Sequence, residues 1–113
     1  MNVSVLVPKP EKKTWFRLSS SSSVPNVPGC YVLADAFGEI LYLGLTVTLR
    51  TRFEQHLDTP EKLIVTCDGK AHHFHYLRCE PTTLEFIERS WLEQFRNKHA
   101  RLPVHNKVSS PIH

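Results

Sequence analysis

Two tyrosines, an arginine, a histidine and one distant glutamate carry most of the chemistry open to this 113-residue chain. Gly29-Cys30-Tyr31 is followed ten residues later by Tyr42-Leu43-Gly44, and a short basic stretch then supplies Arg52 and His56. Two glycine-tyrosine signals so close together, feeding a cation and an imidazole, fit the assembly of a polar site better than that of a core. Phenol and imidazole groups exchange hydrogen bonds and protons, and guanidinium is a fixed cationic fork. Glu88 lies far downstream.

Local patterns predict the elements that position these residues. Cys30 to Ala34 is rich in strand formers, Asp35-Ala36-Phe37-Gly38 has turn chemistry, and Glu39 to Leu43 reads as the return strand of an antiparallel hairpin. Gly44 should let the backbone leave the sheet, with Thr46 or Thr48 capping a helix over about 47–57. Leu49, Phe53 and Leu57 form its narrow apolar stripe, and Arg52 and His56, four apart, share one edge. Asp58-Thr59-Pro60 should end it, and Leu63 to Val65 reads equally as a helical turn or a strand. Ala71 to Cys79 alternates as a third strand, with His73, His75 and Leu77 on one side and His72, Phe74, Tyr76 and Arg78 on the other. A second helix opens at Pro81-Thr82-Thr83 and runs to about Asn97.

That second helix puts one residue in an unexpected place. At about 100° per residue, Leu84, Ile87, Trp91 and Phe95 share one arc, and Glu88 falls inside it. A carboxylate on a buried helix face costs several kcal/mol unless it is paired, hydrogen-bonded or bound to a cation. A buried ion pair with Arg52 or Arg78, or a snorkel to the surface, would satisfy it as well as a bound metal would.

Composition sets outer bounds. The length suits one domain and one core. A net charge of +3 is compatible with nucleic acid without arguing for it. Three cysteines with no Cys-x-x-Cys spacing argue against a disulfide framework and a structural zinc site. No apolar run approaches the ~20 residues of a membrane span. The expected setting is therefore cytoplasmic, without membrane contact. The expected organisation is an accessory segment with a Ser-rich linker over 1–23, one domain over 24–108, and a frayed tail over 109–113. Met1 to Val7 reads as a weak strand, Trp15 and Phe16 as buried, and Ser19 to Ser23 as flexible.

Taken together these features resemble the GIY-YIG nuclease superfamily. Gly29-Cys30-Tyr31 and Tyr42-Leu43-Gly44 match its two signatures, with cysteine and leucine at the middle positions. Arg52 lies ten residues after the second tyrosine, His56 four further on, Glu88 three before Trp91, and Asn106 sits where an asparagine closes the module. The likeness covers roughly 24–106. Each tripeptide is weak alone; both at this spacing with the polar residues in order make a strong pattern. Leu45 stands where repair-type members often carry lysine.

The resemblance implies an α/β module of α+β type, a three-stranded antiparallel sheet flanked by helices. It implies a metal-dependent endonuclease that hydrolyses DNA phosphodiester bonds, with Mg²⁺ (or Mn²⁺) held by Glu88. Arg52 would neutralise the phosphate, Tyr31 would be the general base with His56 as runner-up, and Tyr42 would orient water or phosphate. Asn106, Arg50, Arg78 and Lys98 are expected substrate contacts. The His72-His73-Phe74-His75 cluster lacks a third metal ligand at sensible spacing and is expected to line the sheet surface that DNA approaches. Low sequence specificity, a targeting protein or a homodimer would explain the absence of an obvious specificity element. The alternative is a non-catalytic nucleic-acid-binding module of the same fold; a third reading, an interaction domain unrelated to DNA, would use Trp15 and Phe16 as contacts.

Overall fold

A computed structural model describes residues 1–58 and 70–106. Its elements are β1 (Lys12–Trp15), β2 (Gly29–Ala34), β3 (Ile40–Thr46), α1 (Leu49–Leu57), β4 (His73–Arg78) and α2 (Leu84–His99). The four strands form one antiparallel sheet in the order β1-β4-β2-β3. The expected three strands are thus corrected to four. β1 pairs Lys12 to Tyr76 and Trp15 to His73, and its charged face suits an edge strand that must resist further pairing.

The predicted hairpin forms. The Asp35 carboxylate accepts from Phe37 N and Glu39 N at 2.8 and 2.9 Å, and Gly38 turns the chain at φ 88°. A register shift at Leu33/Ala34 follows, where the β3 side carries one extra residue. Gly44 does not release the backbone, contrary to expectation: β3 continues to Thr46, whose hydroxyl accepts from Thr48 N at 3.0 Å and leads into α1.

β2 is buried along its whole length because both faces of the sheet are covered. On one face α2, with Val3 and Leu6, packs over Cys30, Val32, Leu43 and Leu45. On the other, α1 and Phe16 pack over Tyr31, Leu33, Leu41 and Phe74. Val3, Leu6 and Phe16 from residues 1–23 are thus part of the buried core. Val3–Val5 is a 3₁₀ turn capped by Asn2, not a strand, and Leu18–Ser23 forms a second one, where the Ser23 hydroxyl donates to Ser20 O at 2.7 Å. Phe16 is buried as expected; Trp15 is 51% exposed, which was not expected.

The α2 helix runs two residues beyond the expected end and stops at Ala100, at φ 57°. Leu63 to Val65 and the tail lie outside the described residues. Among those described, no helix is long and apolar enough to cross a membrane.

Candidate functional site

The two motifs meet across the β2–β3 pair. Tyr31 lies opposite Gly44, and a Cβ there would stand 2.7 Å from the Tyr31 ring and hydroxyl and 2.8 Å from the Tyr42 ring. The glycine is thus the space the two rings occupy. Their centroids are 5.8 Å apart and stacked, and Phe74 stacks on the other neighbour side of Tyr31 at 5.2 Å. Helical spacing on α1 brings His56 over the pair: its Nε2 hydrogen-bonds the Tyr31 hydroxyl at 2.7 Å, and its ring is 5.0 Å from that of Tyr42.

Electrostatics tie in the remaining two residues. Burial raises Tyr31 well above the ordinary phenol range; the Tyr42 hydroxyl and Glu88 add to the rise, while Arg52 opposes it. Tyr42 is raised too, first by burial, with its hydrogen bond to Tyr31 and the Arg52 charge pulling the other way. The charges of Arg52 and Glu88 are thus felt at both hydroxyls, although Glu88 comes from α2, packed on the opposite face. The structure brings Tyr31, Tyr42 and His56 into direct contact, and Arg52 and Glu88 act on the two phenols through their charge. Arg52 Nε is buried and makes no hydrogen bond among the described residues, so this cation keeps a donor in reserve.

The sign of the Tyr31 shift matters for chemistry. A phenolate base needs a lowered pKa, and here desolvation outweighs the arginine. Tyr31 is a neutral phenol whose hydroxyl shares a short hydrogen bond with His56 Nε2. Glu88 is 0% exposed, on the apolar arc predicted for it. Its lone carboxylate is the donor type a hard divalent cation accepts, and among the described residues no three His, Cys, Asp or Glu side chains converge to form a richer metal site.

The expected substrate contacts are differently employed. Arg50 donates from Nε to Val24 O at 2.7 Å, tying α1 to the segment before β2. Arg78 is paired with Glu11 at 2.8 Å on the surface. Both ends of the Asn106 amide bond the Leu43 backbone, accepting from its N at 2.9 Å and donating to its O at 2.8 Å. Asn106 thus pins β3 between the motif residues Tyr42 and Gly44. Lys98 is exposed near the end of α2, away from this network. His73 and His75 share the sheet face covered by α2, opposite the tyrosines, so they do not line the tyrosine face. Sequence reading missed Phe74 as the ring under Tyr31, while the expected docking of Val104-His105-Asn106 is seen in the His105 backbone N–H, which donates to Leu41 O at 2.9 Å. The alternation of β4 was a usable signal for Phe74.

No protein-family model matches the chain. It is similar to the UvrABC system protein C of Finegoldia magna, 35% identical over 68 residues, which is 55% of this chain and 11% of that protein. It is also similar to the UvrABC system protein C of Thermoanaerobacter sp. and of Thermoanaerobacter pseudethanolicus, 28% identical over 81 residues in each case, covering 67% of this chain and 13% of theirs. The chain spans roughly a tenth of the length of these curated relatives, so it resembles one small part of a UvrABC system protein C.

Proposed function

We propose that this chain is a GIY-YIG-type endonuclease module that hydrolyses phosphodiester bonds in DNA. The observation that carries the reading is the Tyr31–His56 hydrogen bond of 2.7 Å, set beside Tyr42 within the fields of Arg52 and Glu88. The likeness to UvrABC system protein C favours DNA as the substrate.

Mg²⁺ or Mn²⁺, held by Glu88 with remaining ligands from water and phosphate, would supply charge neutralisation at the leaving 3′-oxygen. Arg52 would bind the non-bridging oxygens through its fork. The proton path follows from the neutral state of Tyr31. As water attacks phosphorus, its proton passes to the Tyr31 oxygen while the Tyr31 proton moves to His56 Nε2, in the tautomer that carries hydrogen on Nδ1. His56 becomes the final acceptor and Tyr31 the relay, which inverts the order expected from sequence. Tyr42 orients Tyr31 through their shared hydrogen bond. Target choice would come from low specificity, from a targeting protein or from a second copy.

Purified protein tested with labelled single-stranded, duplex and branched DNA, with and without Mg²⁺, decides the reading. Cleavage that disappears in Glu88→Ala and Arg52→Ala, with the fold intact by circular dichroism, is the expected result. Full activity in either variant would remove the proposed site.

A second reading is favoured by burial. Tyr31 is 1% and Glu88 0% exposed, so a phosphate meets neither until the surface opens. A nucleic-acid-binding module without cleavage would bind DNA in a salt-sensitive way and cut nothing in Mg²⁺ or Mn²⁺.

A further inference from the structure

A second basic surface lies apart from the tyrosine site. A groove of about 400 Å³ runs beside the edge strand β1, lined by Lys9, Lys12, Lys13, Phe37, His73 and His75 among others. That size is within the range of ligand pockets. The one carboxylate among its lining residues, Glu11, is held by Arg78 at 2.8 Å and also feels the Lys12 charge, so the three lysines outnumber it. Phe37, on the tip of the β2–β3 turn, is 85% exposed, an unusual cost for so large an apolar ring. Trp15, paired with His73 across β1 and β4, is half exposed, and its ring lies tilted against that of His73 at 4.7 Å. Inside the groove, His75 Nε2 is buried without a hydrogen-bond partner.

We infer that this groove binds a segment of single-stranded nucleic acid, with phosphates on Lys9, Lys12 and Lys13 and a base against Phe37. Positive charge combined with an exposed aromatic face is what sequence-tolerant single-strand binding requires. A purely anionic partner would have no use for the exposed ring, and an apolar partner would leave the lysines desolvated. The groove is on the α2-covered side of the sheet, marked by His73 and His75, so it is separate from the tyrosine site. It does not depend on cleavage.

The test is fluorescence anisotropy of a labelled short oligothymidylate, without metal, over a range of salt concentrations. The wild type should bind with an affinity that falls as salt rises. The triple variant Lys9→Ala, Lys12→Ala, Lys13→Ala should flatten the logarithmic salt slope by about 2, since each lost single-strand phosphate contact removes about 0.7. Phe37→Ala should weaken binding roughly tenfold while leaving the slope unchanged. Glu88→Ala should bind like the wild type whether or not the protein cleaves DNA, which keeps this result separate from the nuclease reading. An unchanged slope in the triple variant overturns the inference. Equal affinity for an oligoglutamate of matched charge, or for anionic lipid vesicles, overturns it also, because either would mean an unselective cationic patch.

Discussion

The two faces of this sheet handle polar groups in opposite ways. On the α1 side, Tyr31, Tyr42 and His56 are buried and bonded to one another, with an arginine and a carboxylate close enough to shift both phenols. On the α2 side, beside the edge strand β1, lysines and Phe37 line an open groove, with one buried imidazole nitrogen still lacking a partner. The first arrangement resists rearrangement and fixes proton positions, as catalysis requires. The second leaves charge in water, where it attracts a polyanion at little conformational cost. Polar residues alone did not distinguish the two faces; the degree of desolvation does.

The largest expected effect tests the buried face directly. Arg52→Ala should lower Mg²⁺-dependent cleavage by about 10³-fold, the scale of losing a preorganised donor to a phosphoryl centre. Tyr31→Phe keeps the ring and removes the relay oxygen, so single-turnover rates should fall about 10²-fold. If Tyr31→Phe cuts normally while His56→Ala does not, the proton passes directly to His56 and the relay is wrong. Neither change should alter oligothymidylate binding in the groove.

Next comes packing. In Gly44→Ala the new methyl would meet the Tyr31 hydroxyl at 2.7 Å with Tyr42 close behind. Overpacking of this kind costs about 1–3 kcal/mol, a fall in Tm of several degrees by calorimetry. Ser4→Ala, on the wall of the open groove, should leave Tm within about 2 °C of wild type. An equal response at both positions would mean that the buried face is no tighter than the groove.

These positions also explain what the sequence could and could not reveal. The hairpin was legible because its signals are local: strand formers on both sides of Asp35 and Gly38. Tyr31, Tyr42, Arg52 and His56 were legible through spacing, which a helix or a hairpin converts into adjacency, whereas Glu88 was legible through its place on the apolar arc of α2 and the family resemblance. β1 was hidden, since Lys12-Lys13-Thr14-Trp15 carries no apolar alternation and its partner strand begins at His73. The purposes of Gly44 and Asn106 were hidden for a related reason. Both act on a neighbour's space or backbone, and those neighbours are known only once β2 and β3 are paired. Arg50 and Arg78 looked like free cations because Val24 O and Glu11 meet them only in the folded chain.

The smallest expected effect concerns His75, where the open face becomes locally dry. Burial first, then the charges of His73 and Lys13, pull its pKa from 6.5 down to about 4. In the unfolded chain this imidazole takes a proton below about pH 6.5. The folded protein resists doing so until about pH 4. The unfolded state therefore binds more protons between those limits, so this contribution to stability is complete above pH 6.5 and declines as pH falls towards 4. Solvent reaches part of the ring, which limits the effect to a drop of roughly 5 °C in Tm across the window. His75→Gln should flatten that part of the Tm–pH curve while leaving the high-pH plateau nearly unchanged. Oligothymidylate in the groove would place phosphate charge near His75 and stabilise its protonated form, so saturating ligand should also flatten the wild-type curve. A curve that His75→Gln leaves unchanged would show that the imidazole is already hydrated, and the contrast between a dry face and an open one would then be complete.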